Sequence, residues 1–205
     1  MSAKQKRHEM LERMASEAYA QHVLKRAAPD RWLFKREGSG TFWAEVVTCA
    51  GGRLVIVGDG PDLIFWGGGC TGEEQVRWAA TAEIDYLAGK VQAWRNNRNG
   101  MEWDEDVALD QVRREIAEAE SREMDEDGDI DEGAAKDARE WREVLDAYRS
   151  SYTGEHEFSR VVYEITNDPE YDFGRVVASD VYYARAAFRR LAELLDAPAA
   201  PTVPP

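Results

Sequence analysis

Ten of the 16 glycines lie between Gly38 and Gly72, and they punctuate three short β-rich runs. The runs are Thr41–Cys49, Arg53–Gly58 and Asp62–Gly67, separated by Ala50-Gly51-Gly52 and Asp59-Gly60-Pro61. Both separators are built from turn-forming residues, so the segment reads as a three-stranded antiparallel meander. A strand over Arg31–Arg36 would make it four. Side chains alternate across a strand. Phe42, Ala44 and Val46 therefore oppose Trp43 and Val47, Leu54 and Ile56 oppose Val55 and Val57, and Leu63 and Phe65 oppose Ile64 and Trp66. Both faces are apolar and both should be covered, by helices on two sides or by helices on one side and a partner on the other.

Helical patterns surround the meander. No Gly or Pro interrupts residues 3–27, and Met10, Leu11, Met14, Ala18, His22 and Lys25 fall near one stripe of a basic helix. A second helix is expected over 73–94, capped by Thr71 or Gly72. Asp104 should cap a third, with Val107, Val112, Ile116 and Ala119 along its inner side. Trp141, Val144, Leu145 and Tyr148 mark a fourth at about 134–151, and residues 155–165 fit helix or strand. Ser179 or Asp180 should cap a last helix through Leu195. The expected fold is α+β, a small antiparallel three- to four-stranded meander packed with five or six helices. Its parts are a basic N-terminal helix (1–28), a single α+β domain (29–196) and a disordered Pro-rich tail (197–205).

Charge is the next constraint. The chain of 205 residues has 40 Asp+Glu and 26 Lys+Arg, a net charge of -14. Residues 115–146 carry 14 acids and four bases, net -10, whereas residues 1–36 carry nine bases and four acids, net +5. The acidic balance repels phosphate and argues against bulk binding of nucleic acid or an anionic membrane, with the first helix as the exception. No apolar run approaches the ~20 residues of a membrane span, and no apolar segment follows the basic N-terminus as in a secretory signal. Cys49 and Cys70 read as reduced thiols of a cytoplasmic protein.

Motifs that carry chemistry fare poorly. Gly67-Gly-Gly-Cys-Thr-Gly72 is followed by Glu73-Glu74 rather than the Lys-Ser/Thr of a phosphate loop. His8, His22 and His156 are scattered, and no nucleophile elbow or zinc-type spacing occurs. The loop from Glu123 to Ala134 places acids at positions 1, 3, 5, 7 and 9 of an EF-hand numbering, with Gly128 at 6, but Ala134 replaces the bidentate Glu at 12. It reads as an acidic connector, with weak divalent binding as its alternative. No catalytic residue, metal ligand or cofactor is assigned. Seven tryptophans spread over the chain serve a core or an aromatic recognition patch.

The run Trp32-Leu-Phe, Gly38-Ser-Gly, Thr41-Phe-Trp, with Gly52-Arg-Leu-Val-Ile-Val-Gly-Asp59 and Asp62-Leu-Ile-Phe, resembles a group of uncharacterised accessory proteins of tailed phages and prophages. Asp85-Tyr-Leu-Ala-Gly-Lys90-Val and Val181-Tyr-Tyr-Ala-Arg-Ala-Ala-Phe-Arg-Arg-Leu extend the likeness to about residues 31–95 and 175–195. The resemblance implies a small non-structural protein made in the cytoplasm of an infected bacterium. The expected function is binding of a host or phage protein without catalysis, inhibition of a host defence system being one form of it. Asp59, Asp62, Trp66, Asp125, Asp127, Asp129 and Asp131 are the candidate partner-binding residues. The acids of 115–132 could act there as mimics of nucleic-acid phosphates. The alternatives are a small metal- or nucleotide-binding enzyme and a nucleic-acid-associated regulator that uses the N-terminal helix.

Overall fold

The structure is a computed structural model. It describes residues 1–39, 43–67, 69–93, 100–122, 131–149, 154–166 and 173–197. In chain order the described elements are α1 (Ala3–Tyr19), β1 (His22–Ala28), β2 (Arg31–Arg36), β3 (Trp43–Cys49), β4 (Arg53–Gly58), β5 (Leu63–Trp66), α2 (Gly72–Thr81), α3 (Ile84–Ala88), β6 (Val91–Ala93), β7 (Met101–Trp103), α4 (Glu105–Arg122), α5 (Glu132–Arg149), α6 (Gly154–Thr166), β8 (Arg175–Val177) and α7 (Ser179–Asp196). The fold is α+β. Contacts divide it into two compact units. One holds Arg7–Met101 and Val177–Pro205, the other Met1–Lys6 and Glu102–Val176.

The first unit is built on an antiparallel sheet of order β1-β2-β3-β4-β5-β6. The expected meander is its centre. Gly51 and Gly52 turn β3 into β4 with φ of 79° and 74°, a conformation that residues with a Cβ rarely adopt. At Gly58 a Cβ would run into the backbone of Trp43 and lie 2.9 Å from the Ala44 Cα, so glycine lets the end of β4 pass close to β3. Trp32, Phe34, Ala44, Val46, Leu54, Ile56, Leu63 and Phe65 form one face of the sheet, each no more than 1 % exposed. They share a core with Leu11, Ala15 and Tyr19 of α1, Val76 and Ala79 of α2, Leu87 of α3 and Val181, Ala184, Phe188 and Leu191 of α7. The Phe65 and Phe188 rings meet edge to face at 5.6 Å.

Three expectations are corrected here. The N-terminal helix ends at Tyr19 rather than running to residue 27, and His22–Ala28 is an edge strand paired antiparallel with β2. Pro29, with φ fixed near -65°, sits in the turn that returns the chain as β2, and the ladder absorbs backbone groups that a helix would have used. The inner stripe of α1 is consequently Leu11, Ala15 and Tyr19, while Met10 and Met14 are each 43 % exposed. The helix expected over 73–94 breaks at Ala82, where ψ is 142°, into α2, α3 and the strand β6, which pairs with β5. Thr71 is the N-cap residue of α2 as expected, though its side chain makes no cap bond, whereas the N-cap of α7 is Ala178 rather than Ser179 or Asp180.

The second unit is helical. Ala108 and Val112 of α4, Trp141, Val144, Leu145 and Tyr148 of α5, and Phe158, Val161 and Val162 of α6 form its core. Tyr148 and Phe158 meet at 5.0 Å, and Trp141 and Phe173 at 5.3 Å. Residues 155–165, which fitted helix or strand, are helical. Asp104 caps α4 as expected, its Oδ1 accepting from the Val107 N–H at 3.1 Å. Ion pairs lie on the exposed helix faces, among them Arg142–Glu120 between α5 and α4 and Arg114–Asp110 at 3.5 Å.

Candidate partner-binding face

Strand register defines the second face of the sheet. Arg31, Val47, Val55 and Ile64 stand side by side across β2 to β5. Leu33, Glu45 and Val57 form the row to one side, and Cys49, Arg53 and Trp66 the row to the other. Val47, Val55, Val57, Ile64 and Leu33 are half-buried, as expected for side chains shielded only by their neighbours in the sheet. None of them belongs to either core cluster or is among the partly buried residues packed against one. Among the described residues, then, helices cover one face of the sheet, and the other keeps its apolar row.

The charges on this face run against those of the chain. Among the described residues, Arg31, Lys35 and Arg53 share it with a single carboxylate, Glu45, which Arg31 holds at 2.5 Å. On a molecule with net charge -14, this is an apolar patch with a basic rim.

One corner of the face is aromatic. Trp66 is 49 % exposed and Tyr86, on α3, 52 %. The Lys90 ammonium lies 4.8 Å from the Tyr86 ring centre and 5.4 Å from that of Trp66, within cation–π range of both. The Trp66 N–H donates to the Lys90 carbonyl at 2.9 Å, which fixes the strand end beside that side chain. Trp78 closes edge to face on Tyr86 at 6.2 Å.

The expected site residues separate. Trp66 lies on the face. Asp59 and Asp62 brace the turn between β4 and β5. Asp59 Oδ2 accepts from the Trp43 N–H at 3.2 Å, and Asp62 Oδ1 from the Gly58 N–H at 3.3 Å. Asp131 caps α5, its Oδ1 accepting from the Gly133 and Ala134 N–H groups at 2.9 and 3.1 Å. Asp125, Asp127 and Asp129 lie outside the described residues, as does the acidic loop from 123 to 130. Among the described residues no three His, Cys, Asp or Glu side chains gather to hold a metal ion. No described helix is long and apolar enough to cross a membrane.

Lys90 and Tyr86 were not singled out from the sequence as site residues. They stand beside Trp66 only because β6 pairs with β5, a long-range contact that no local pattern announces. Comparison with protein-family profiles, with curated proteins and with solved structures finds no match.

Proposed function

We propose that this chain is a phage-type accessory protein that acts by binding another protein, without catalysis, through the open face of its sheet. The observation that carries the reading is the one-sided cover of that sheet: Val47, Val55 and Ile64 form an apolar row that no described helix packs against. A patch of this kind ordinarily marks an interaction surface. Four strands, β2 to β5, by about five residues give roughly 300 Å², less than half of the ~800 Å² per partner of a stable complex, so the rim must contribute. Arg31, Lys35, Arg53 and Lys90 supply that rim and favour a partner whose apolar surface is edged by carboxylates. Trp66 and Tyr86 are the residue types that concentrate at interface hot spots.

The likeness of residues 31–95 and 175–195 to phage accessory proteins supports the setting, a bacterial cytoplasm with a host or phage protein as the partner. The specific form proposed is inhibition of a host defence protein by occupation of its acidic-rimmed surface.

The test is capture from bacterial lysate at low salt with the intact chain and with Val55→Glu, followed by identification of the retained protein. A protein held by the wild type and released by Val55→Glu, with the variant still folded and melting cooperatively at the temperature of the capture, supports the reading. An empty capture, or capture indifferent to Val55→Glu, contradicts it. In cells that carry the corresponding defence system, expression of the wild type should raise phage plating by orders of magnitude and Val55→Glu should not.

A further inference from the structure

The open face has a direction, which strand pairing fixes. Trp43 pairs with Lys35 and so stands on this face, one row beyond Leu33, Glu45 and Val57. It is half-buried and belongs to neither core cluster. From Trp43 on β3 an apolar track runs diagonally through Val57 and Val55 on β4 and Ile64 on β5 to Trp66 at the end of β5. It crosses two strand spacings and about six residues of strand, about 22 Å in all. Lys35, Arg31 and Arg53 stand on the flank of the track that faces β2, where Glu45 is already held by Arg31. We infer that the occupant of this face is an amphipathic helix of the partner, with carboxylates along one edge of its apolar stripe. The inference rests on the reading of this face as a protein-binding surface.

Backbone chemistry selects the helix. The N–H and C=O groups of a sheet lie in its plane and are spent on neighbouring strands, so the face offers none to a bound segment. An extended segment laid there would lose water from its own backbone groups and gain no partner for them. A helix satisfies these groups internally and brings only side chains to the contact. The opposite face of the same strands, with the same alternation, is covered in this way by α1, α2 and α7. A track of about 22 Å takes about 15 helical residues, four turns.

Charge separates the helix from a second sheet. A sheet would spread over the whole face and bury Lys35 and Arg53 beneath it, at the cost of desolvating them. A helix about 10 Å across covers the track and leaves these side chains at its edge. There they stay partly in water and meet carboxylates on the near flank of the helix. At the Trp66 end, Lys90 lies over the Trp66 and Tyr86 rings and adds a fourth cation. Trp43 and Trp66 mark the two ends of the track, and tryptophan is the residue type that most often anchors such contacts.

The test selects peptides on the immobilised full chain. Random peptides of about 18 residues, long enough for the track, are enriched on the wild type and depleted on Val55→Glu, and the retained sequences are read. The expected sequences have apolar residues at i, i+3, i+4 and i+7 and Asp or Glu along one edge of that stripe. A selected peptide should gain helical circular dichroism when the chain is added. Lys35→Glu combined with Arg53→Glu should weaken its binding at least about tenfold. Raising salt from about 0.05 to about 0.5 M should weaken the wild-type complex too, a reading that needs no variant. Retained peptides with strictly alternating apolar residues, peptides without an acidic edge, or affinity indifferent to both charge tests overturn the helix and leave the face a protein-binding surface. Failure to retain any peptide that Val55→Glu releases overturns the helix together with the reading it rests on.

Discussion

Gln75 is fully buried, and its Nε2 donates to the Gly52 carbonyl at 2.6 Å, where the Gly67 N–H also donates at 2.7 Å. Its Oε1 has no partner among the described residues. The side chain therefore combines one useful bond with one acceptor left unsatisfied, each worth about 1 kcal/mol and of opposite sign. Gln75→Met keeps the volume and removes both, and should change stability by less than about 1 kcal/mol. Gln75→Ala also leaves a cavity and should cost ~2–4 kcal/mol. Urea denaturation of the two variants checks this; equal losses would show that the bond to Gly52 outweighs the packing.

Tyr182 makes a pH-dependent contribution. Burial, and then the nearby Asp85 carboxylate, push its phenol from 10.0 to about 12, and its hydroxyl is 3.0 Å from His8 Nδ1. Burial raises Tyr19 in the same direction. A group whose folded pKa is raised binds its proton more tightly in the folded state, so its contribution is complete below the unfolded value and is lost as pH climbs toward the folded one. The melting temperature should hold to about pH 10 and fall between 10 and about 12. The phenolate absorbance that Tyr182→Phe removes should appear together with unfolding in the wild type, and the variant should shallow the decline. That difference signal arising well below this range in the folded protein would contradict the assignment.

At the scale of elements, β4 contrasts the two faces of the sheet. Leu54 and Ile56 are fully buried against the helices, and Val55 and Val57 half-buried on the open side. Ile56→Ala should cost ~2–5 kcal/mol. Val55→Glu, a charge placed where no described helix packs, should cost about 1 kcal/mol or less, near the span of strand propensities. Thermal unfolding of the pair tests the contrast, and a Val55→Glu loss as large as that of Ile56→Ala would mean that the face is closed.

The alternation along Leu54–Val57 was legible in the sequence, as were the turns at Gly51-Gly52 and Asp59-Gly60-Pro61. So was the apolar character of both faces. Which face receives the helices was not, because it depends on how the inner stripes of α1, α2 and α7 meet the sheet. β1 was read as helix because residues 20–28 contain neither Gly nor Pro and Val23-Leu24-Lys25-Arg26-Ala27 suits either state. Pairing with Arg31–Arg36, not intrinsic propensity, decides it. β6 has only three residues and forms through Ile64 and Phe65, far away in the chain. The aromatic corner was invisible for the same reason, although Trp66 alone stood out.

At the scale of the molecule, charge is partitioned. The helical unit contains the whole 115–146 segment with its excess of acids, whereas the open face of the sheet unit is basic at Arg31, Lys35 and Arg53. Net charge read over the whole chain points toward acidic recognition; the distribution places a basic-rimmed apolar surface on the same molecule. Of the acids expected to meet a partner, Asp59, Asp62 and Asp131 are occupied in holding backbone amides. Their pattern in the sequence could not separate a turn brace or a helix cap from a recognition residue, since both place carboxylates near Gly and Pro.

Among the described residues, helices cover one face of the sheet and leave the other open. Relaxation of methyl resonances by a soluble nitroxide, measured on the isolated chain, checks this contrast. Strong enhancement is expected at Val47, Val55 and Ile64, and protection at Val46, Leu54 and Ile56 of the same strands. Equal protection of both sets would show that the chain covers the second face itself and would remove the basis for a partner there.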